Sequence, residues 1–368
     1  MKFLSLQLLR AVAAIAVIIF HAQALCHRYA SHSSHAEALL GNTGAYGVDL
    51  FFVLSGYVIL HTIHATRTTA QAFLLRRVIR IVPIYWILTL TAVSLPYLVP
   101  FAFAQAPIQH TAIQPGPSLP PLQSLAESLL FISYSWHTRG PILYVGWSIE
   151  YEMFFYILTS LALLGSLPVY RTLGLLFIGL YALVHCLVPP ATASGTVLFF
   201  LGDQQIFEFV LGLLVAQIVL REKLTALDVA IPVTALTLTV LLEGAGRFLI
   251  AGLPSAVVVW LALRVESRAR GYPAVRYLAK VGDASYSIYL LQNLALPGIG
   301  KLWAHFVPQL PPDLLVLVAT VLVVAGGILV YHWIERPALK GLQRLLLSAR
   351  APATPARLGS ATDAAERS

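Results

Sequence analysis

The chain has 368 residues, of which 58% are hydrophobic and only 11% are charged. A soluble domain needs about 25% charged residues to cover its surface, so this composition excludes an ordinary soluble protein and predicts that most of the chain faces lipid. The net charge of +8 does not indicate a nucleic-acid-binding protein, because the basic residues lie between apolar segments rather than on one soluble face.

Ten apolar segments, each close to the length of about 20 residues that crosses a bilayer, recur along the chain. They are Ser5–Leu25, Tyr46–His64, Ile81–Phe103, Trp147–Leu167, Thr172–Leu187, Gln204–Leu220, Leu227–Leu242, Phe248–Leu263, Ala284–Ile299 and Leu314–Trp333. The first contains a small-residue motif typical of a signal cleavage site, but Arg10 inside the apolar stretch favours an uncleaved helix. We therefore predict an all-α integral membrane protein, a bundle of about ten transmembrane helices.

The basic residues predict the orientation of these helices. With the N-terminus in the cytosol, all but five of the 24 Lys and Arg residues fall in cytosolic segments, as the positive-inside rule requires. The five exceptions are Arg10, Arg28, Arg139, Arg247 and Lys301. An even number of spans then places both termini in the cytosol.

The chain is predicted to contain one membrane domain, residues 1–340. Residues 341–368 are predicted to form a disordered cytosolic tail, because Ser348–Ser368 is rich in Ala, Pro, Arg and Ser and lacks an apolar period. The longest segment outside the membrane is Ala104–Gly146. Within it, Ser124–Ser135 is apolar but too short to span, so it is either a re-entrant or an interfacial helix.

Ionisable groups inside membrane spans are costly, so each is a candidate functional residue. Arg10 and His21 are 11 residues apart, which places them on one face of the first helix, about 16 Å apart along its axis. Asp49, early in the second span, and Glu152, about 7–8 Å below Trp147, should lie at the depth of His21. We therefore predict that His21, Asp49 and Glu152 converge in one pocket in the outer half of the membrane.

A neutral imidazole in such a pocket can take the proton of a hydroxyl group as its oxygen attacks a thioester, while a carboxylate orients the ring. This chemistry is acyl transfer with general-base catalysis by His21. Two structural alternatives stay open: His21 only packs or hydrogen-bonds, and Asp49 and Glu152 pair with neighbouring groups or with Arg10. A transporter is the rival function, since intramembrane Arg, His and carboxylates also form proton relays.

Arg76, Arg77 and Arg80 crowd the cytosolic entrance to the third span. Ordinary positive-inside anchoring explains such a cluster. The alternative is a docking site for the phosphates of a coenzyme A thioester, which guanidinium groups bind through paired hydrogen bonds. The sequence does not decide between these interpretations.

Two further groups carry weaker signals. His27, His32 and His35 match no strong metal-ligand spacing, and we predict no metal site. Cys26 and Cys186 both lie near the outer ends of spans, where the spacing permits a disulfide but does not demand one. The chain also lacks a Gly-x-Ser-x-Gly nucleophile elbow, which disfavours a covalent serine mechanism.

Motifs distributed over the whole chain resemble those of the acyltransferase-3 family. In chain order they are Leu8–Ala14 with Phe20 and His21, Gly47–Tyr57, Arg76–Arg80 with Pro83 and Tyr85, Trp147–Tyr156, Gly282–Leu290 and Glu335–Pro337. The order matches that of the family, so the resemblance is specific although no single motif is. Glu152, rather than Glu150, stands at the family's acidic position. Many members carry His where this chain has Gln292, which can hydrogen-bond but cannot titrate.

The resemblance implies a multi-pass O-acyltransferase of the bacterial inner membrane. Its donor would be cytosolic acyl-CoA, usually acetyl-CoA, and its acceptor a carbohydrate: an exopolysaccharide, an O-antigen or a lipid-linked oligosaccharide. By this resemblance His21 is the base, Arg10 and Glu152 are essential partners, and Arg77 and Arg80 support the donor. With the pocket and the arginine cluster predicted above, the candidate site comprises catalytic His21, Glu152, Asp49 and Arg10, donor-binding Arg76, Arg77 and Arg80, and substrate-binding Trp147, Ser148, Tyr286 and Gln292.

Overall fold

The computed structural model describes residues 3–29, 34–66, 68–98, 122–137, 140–165, 167–188, 197–220, 223–243 and 246–348. Every regular element in these ranges is a helix, which confirms the all-α prediction for this part of the chain. Residues 349–368 of the predicted tail and residues 104–121 of the predicted long loop lie outside the described ranges.

The α-helices are labelled in chain order. They are α1 (Leu4–Tyr29), α2 (His35–Leu40), α3 (Gly47–Thr66), α4 (Ala70–Leu98), α5 (Leu122–Leu129), α6 (Ser133–His137), α7 (Gly146–Ala162), α8 (Val169–Leu187), α9 (Val197–Leu201), α10 (Ile206–Leu220), α11 (Ala226–Glu243), α12 (Leu253–Arg264), α13 (Glu266–Ala269), α14 (Pro273–Asp283), α15 (Ser285–Phe306), α16 (Pro312–Val330) and α17 (Arg336–Ser348). A 3-10 turn, Thr43–Tyr46, leads into α3. Two π-helical turns, Phe248–Gly252 and Tyr331–Glu335, precede α12 and α17.

Six helices among the described residues are long and apolar enough to cross a membrane. They are Leu4–Tyr29, Thr43–Thr66, Ala70–Leu98, Val169–Leu187, Ala226–Glu243 and Pro312–Leu346. Two shorter apolar helices, Ile206–Leu220 and Phe248–Arg264, overlap two further predicted spans. The two remaining predicted spans, Trp147–Leu167 and Ala284–Ile299, overlap α7 and α15. Every predicted span therefore overlaps a helix, while the count of ten crossings and the cytosolic position of both termini stay predictions.

Glycine lets two of these helices touch backbone to backbone. Gly56 of α3 and Gly212 of α10 face each other. A Cβ atom on Gly56 would overlap the carbonyl oxygen of Phe209, and one on Gly212 would overlap that of Val53. Small residues allow such close approach in membranes, where packing contacts rather than the hydrophobic effect favour helix association. The helices α3 and α10 are thus a tightly packed pair.

Small residues also allow α1 to be contacted on several sides. Ala11 and Ala14 are buried, and α1 packs against α3, α14, α15 and α16. A Cβ atom on Gly282, at the end of α14, would overlap the carbonyl oxygen of Gln7. This close contact places Arg10, one turn further along α1, next to the beginning of α15.

The short helix α6 packs against the beginning of α7. The buried carboxylate of Glu150 accepts hydrogen bonds from the backbone N–H groups of Tyr134 (3.0 Å) and Ser135 (3.1 Å), in the first turn of α6. A carboxylate at this position satisfies N–H groups that have no partner within their own helix. Glu150 therefore holds the segment Ser124–Ser135 against α7.

Candidate active site

An elongated cavity of about 300 Å³ lies between α1, α3, α4, α7 and α15. Its lining on α3 runs from Val48 to Thr62, which is about 21 Å at the helical rise of 1.5 Å per residue. The polar and charged side chains of the lining are Gln7, Arg10, Ser55, Tyr57, His61, Thr62, Arg77, Arg80, Ser148, Glu152, Tyr156, Ser285, Tyr286 and Tyr289. The beginning of α1 lies at one end of the cavity, and the beginnings of α3 and α7 lie at the other.

Three guanidinium groups line this cavity, those of Arg10, Arg77 and Arg80. Arg77 stacks on the ring of Tyr156, with its Cζ atom 5.3 Å from the ring centroid. Arg80 lies close enough to repel both other guanidiniums. Among the described lining residues, only Glu152 brings a carboxylate to these three cations, and the carboxylate of Glu335 attracts two of them from outside the lining. The resulting positive potential attracts an anionic ligand.

Glu152 belongs to the lining of the cavity, whereas His21 does not. The carboxylate of Glu152 accepts hydrogen bonds from Oγ of Ser55 (2.8 Å) and from the phenol of Tyr156. It also attracts Arg10. Glu152 is thus placed to hold the positive charges of the cavity in position.

The predicted depth of Glu152 is counted from Trp147. The half-buried Trp147 ring packs against other aromatic rings, with its centroid 6.4 Å from that of Phe52 and 5.9 Å from that of Tyr134 in α6. The depth of Glu152 in the membrane stays a prediction.

His21 lies on α1 beyond the lining of the cavity and contacts α15. Its Nδ1 atom is 3.0 Å from Oε1 of Gln292. The Gln292 amide is itself oriented, because its Nε2 donates a hydrogen bond to the carbonyl oxygen of Tyr289 (2.9 Å). The ring of His21 stands edge-on to Tyr144, with centroids 6.4 Å apart. Gln292, predicted as a substrate-binding residue, is thus a direct partner of His21.

A hydrogen-bonded group of three residues lies between the cavity and His21. Oγ of Ser148 is 2.8 Å from the Tyr289 hydroxyl, and both lie within hydrogen-bonding distance of the carbonyl oxygen of Val145, at 3.0 and 3.2 Å. Ser148 and Tyr289 line the cavity. One turn further along α15, Gln292 contacts His21. We call Val145, Ser148 and Tyr289 the barrier layer, because they lie between the rest of the cavity lining and the Gln292–His21 contact.

Asp49 forms a separate ion pair. Its fully buried carboxylate accepts hydrogen bonds from Nε (2.8 Å) and Nη2 (2.6 Å) of Arg247. The same guanidinium donates to the carbonyl oxygen of Ala45 (3.0 Å), so it joins α3 to the 3-10 turn and to the segment before α12. Asp49 does not line the cavity. These contacts support the structural alternative that Asp49 pairs with a neighbouring group.

The cavity brings together part of the predicted site. Among the predicted residues in its lining are Arg10, Arg77, Arg80, Ser148, Glu152 and Tyr286. The phenol of Tyr286 donates a hydrogen bond to the carbonyl oxygen of Ile81 (3.1 Å). Outside the lining are His21, Asp49, Arg76, Trp147 and Gln292. Arg76 is exposed, although it lies on the same helix as Arg77 and Arg80.

Glu335 joins the site through the π-helical turn that precedes α17. Its buried carboxylate accepts a hydrogen bond from Ser287 and attracts Arg80 and Arg10. Single π-helical turns are frequent at functional sites, where they redirect a side chain. The only sequence signal for Glu335 is its place in the closing motif, since nothing in its neighbourhood along the chain indicates the arginines that it faces.

Glu266 of α13 binds the beginning of α1, outside the membrane-spanning segments. Its carboxylate accepts hydrogen bonds from the N–H groups of Leu4 (3.0 Å) and Ser5 (2.8 Å) and from Nε of Arg270 (2.9 Å). Burial raises the pKa of Glu266, but the hydrogen bonds from Ser5, Leu4 and Arg270 more than offset it, so the net pKa is lowered. Negative charge here also suits the positive end of the α1 dipole.

The outer-loop histidines and the cysteines show separate environments. His27 and His35 each lie against a different carboxylate, at 2.6 and 2.8 Å, while His32 lies outside the described residues. Within the described ranges, no three His, Cys, Asp or Glu side chains form a cluster that could hold a metal ion. Cys26 is buried, Cys186 is exposed, and both are free thiols.

Comparison with known proteins identifies the family. The acyltransferase domain family, acyltransferase 3, matches residues 3–332. The exopolysaccharide production protein ExoZ of Rhizobium meliloti (strain 1021) is 28% identical over 313 residues, which are 81% of this chain and 90% of that protein. No solved structure gives a significant match. The chain therefore belongs to the acyltransferase-3 family, and it is a multi-pass membrane acyltransferase.

Proposed function

We propose that this acyltransferase moves an acetyl group from cytosolic acetyl-CoA to a hydroxyl group of an exopolysaccharide, or of its lipid-linked precursor, at the bacterial inner membrane. The observation that carries the proposal is the cavity lined by three arginines, which ends at the barrier layer next to His21 and Gln292. The exopolysaccharide is proposed because the similar protein is named for exopolysaccharide production. The family also favours an enzyme over the transporter considered above.

The charge and length of the cavity suit an acyl-CoA donor. Phosphates bind guanidinium groups through short, charge-assisted hydrogen bonds, and three such groups line the cavity. The pantetheine arm between phosphate and sulfur is about 15 Å long when extended, at the length per bond of an extended polypeptide. Arg10 and His21 are about 16 Å apart along α1. A donor with its phosphates at Arg10 therefore presents its thioester near His21.

The donor has to pass the barrier layer to reach His21. The hydroxyl groups of Ser148 and Tyr289 lie 2.8 Å apart, which leaves no room for the arm between them. Binding of the donor therefore separates these two side chains. In the absence of donor, their contact keeps water and ions on the two sides of the membrane apart.

His21 acts as the general base. Its Nε2 takes the proton of the acceptor hydroxyl as that oxygen forms a bond with the carbonyl carbon of the thioester. The tetrahedral intermediate then loses the CoA thiolate, so the carbon–sulfur bond breaks and the ester stays on the sugar. The thiolate receives the proton from the imidazolium. Gln292 orients the ring through Nδ1, at the place that a carboxylate occupies in a hydrolase triad.

The other predicted residues support this reaction from the cavity and from the scaffold. Arg10, Arg77 and Arg80 bind the donor, and Glu152 holds these cations in place through Ser55 and Tyr156. Asp49 maintains the structure through its ion pair with Arg247, and Trp147 does so by packing. Arg76 lies outside the donor site and acts as an ordinary cytosolic anchor.

The proposed orientation follows from the donor. CoA is cytosolic, so the end of the cavity at the beginning of α1 opens to the cytosol, and the acceptor approaches His21 from the opposite side. With this orientation, residues 1–340 form the ten-span membrane domain and residues 341–368 lie in the cytosol. The last helix, α17, extends to Ser348, so the segment after residue 340 begins as a helix.

The experiment that tests the proposal is mass spectrometry of the surface polysaccharide from a deletion strain. The strain is complemented with wild type, with His21→Ala or with His27→Ala, a control on the same helix outside the cavity. We expect the mass of an acetyl group to disappear in the deletion, return with wild type and His27→Ala, and stay absent with His21→Ala. An unchanged polysaccharide in the deletion strain would refute the exopolysaccharide as the acceptor of the acyl group. Normal acylation with His21→Ala would refute His21 as the general base.

A further inference from the structure

The end of the cavity farthest from the barrier layer is lined by three rings, those of Phe3, Tyr57 and His61. The Phe3 centroid lies 6.1 Å from that of Tyr57 and 5.1 Å from that of His61, at interplanar angles of 77° and 84°. The planes of Tyr57 and His61 are parallel to within 25°, with centroids 5.8 Å apart. We call these three side chains the ring cluster. It offers π surface to a flat ligand at the mouth of the cavity.

Two polar atoms beside the ring cluster have no hydrogen-bond partner within the described part of the protein. They are the hydroxyl of Tyr57, whose side chain is only 1% exposed, and Oε1 of Gln7. Both residues line the cavity. Buried polar atoms normally have partners, because desolvation without one costs free energy. The phenol supplies a donor and the amide oxygen an acceptor, so their complement is a ligand that carries an acceptor and a donor.

A purine base combines these features. Its π face stacks on aromatic rings in a wide range of nucleotide sites. One edge of adenine carries a ring-nitrogen acceptor beside an exocyclic amino donor. A lipid chain would also pack on the rings, but it would leave the Tyr57 hydroxyl and the Gln7 oxygen without partners. The observations therefore favour a purine over a lipid.

The ring cluster lies at a suitable distance from the arginines for one nucleotide to reach both. Phe3 is about 10 Å from Arg10 along α1. On α3, His61 is about 9 Å from Ser55, which contacts Glu152 at the level of the arginines. In a nucleoside diphosphate, the ribose and the first phosphate separate the base from the terminal phosphate. The base can therefore occupy the ring cluster while the diphosphate lies at the guanidinium groups.

We infer that the ring cluster, together with Gln7, is a binding site for the purine base of the donor. The inference rests on the proposed function for the identity of the donor as an acyl-CoA. It adds a specificity: the enzyme distinguishes a donor that carries the nucleotide from an acylated carrier that ends at phosphopantetheine. The residues of this site lie at the cavity mouth, far from His21, so they contribute to donor binding and not to the chemical step.

The test compares two donors that share the acyl group and the arm. Purified full-length protein in lipid nanodiscs, with extracted exopolysaccharide as acceptor, is assayed for thiol release from acetyl-CoA and from S-acetyl-4′-phosphopantetheine, which lacks the nucleotide. Tyr57→Phe removes one hydroxyl and keeps the ring, His61→Ala removes a stacking surface, and His64→Ala is the control on the same helix outside the lining. We expect Tyr57→Phe and His61→Ala to raise the KM for acetyl-CoA about tenfold, with the KM for the shorter donor and both kcat values unchanged.

A KM that rises equally for both donors, or for neither, would overturn the assignment. Binding of adenosine 3′,5′-bisphosphate is measured in parallel by calorimetry, because it does not depend on turnover. If wild type uses neither donor, the proposed function fails. The base site is then supported if Tyr57→Phe and His61→Ala weaken this binding, and rejected if they do not. Equal affinity for uridine 3′,5′-bisphosphate would indicate recognition of phosphate alone and would also reject the site.

Discussion

Nδ1 of His21 lies 3.0 Å from Oε1 of Gln292, and Nε2 of the same amide donates to the carbonyl oxygen of Tyr289 at 2.9 Å. The second hydrogen bond fixes which end of the amide faces His21, because one carbonyl oxygen cannot donate to another. Oε1 therefore accepts a hydrogen bond from Nδ1–H, and Nε2 is the ring nitrogen that carries the lone pair. Gln292 sets the tautomer of His21 without adding charge.

Substitution of Gln292 separates this orienting effect from simple packing. Gln292→Leu removes the acceptor for Nδ1–H, so we expect kcat to fall about 100-fold, within the range of general-base catalysis. Gln292→Glu keeps an acceptor at the same place and should retain most of the activity. Steady-state thiol-release kinetics check both variants. Equal losses in the two would indicate that only the packing of the side chain matters.

The combined change Arg77→Ala and Arg80→Ala should raise the KM for the acyl donor more than the KM for the acceptor. Both guanidiniums line the cavity, and the loss of two charged hydrogen-bonding groups predicts a rise of about 100-fold. Arg76→Ala is the matched control, because Arg76 lies on the same helix but is exposed. Donor titrations at fixed acceptor measure the effect. A similar rise for Arg76→Ala would favour general anchoring over donor binding.

Asp49→Ala should destabilise the protein, because it leaves Arg247 without its bidentate partner. Removal of one member of a buried ion pair costs about 3–5 kcal/mol. The Arg247 side chain is 29% exposed, so we expect a loss of about 3 kcal/mol in the free energy of unfolding in mixed micelles. The double variant Asp49→Ala, Arg247→Met should lose less than Asp49→Ala alone. A fully stable but inactive Asp49→Ala protein would instead support a catalytic role for Asp49.

The contact between Glu266 and the beginning of α1 should weaken in acid. Folding lowers the pKa of Glu266. The ionised carboxylate therefore stabilises the folded protein fully when the pH is above the pKa of Glu266 in the unfolded chain. This stabilisation is lost as the pH falls through the pKa of Glu266 in the folded protein. Thermal unfolding of wild type and Glu266→Gln, compared from about pH 7 to about pH 3, should show a difference that vanishes at the acid end. A difference that stays constant with pH would contradict this linkage.

The helices could be predicted from the sequence because an apolar run is a local property, and every predicted span overlaps a helix. The partners of the charged groups could not be predicted in the same way. Asp49 and Arg247 are 198 positions apart, and Arg10 and Ser285 are 275 positions apart. These pairs depend on which helices become neighbours, and apolar patterns specify a buried helix without specifying what lies against it.

The predicted pocket shows the same effect. Helical geometry alone relates His21 to Arg10 on one face of α1, so this part of the prediction needs no knowledge of neighbouring helices. Whether Glu152 shares a pocket with His21 depends on how α7 packs, and Glu150 contributes to that packing through its hydrogen bonds to the beginning of α6. The sequence shows this region only as an apolar segment too short to span.

Gly56 and Gly212 bring α3 and α10 so close that neither helix can slide or rotate against the other without a backbone collision. Since α3 supplies the wall of the cavity from Val48 to Thr62, we expect this wall to move only together with α10. Widening of the cavity then comes from displacement of α1, α4, α7 or α15 relative to this pair. A covalent cross-link between α3 and α10 should therefore be harmless, whereas one between α3 and α7 should arrest the catalytic cycle.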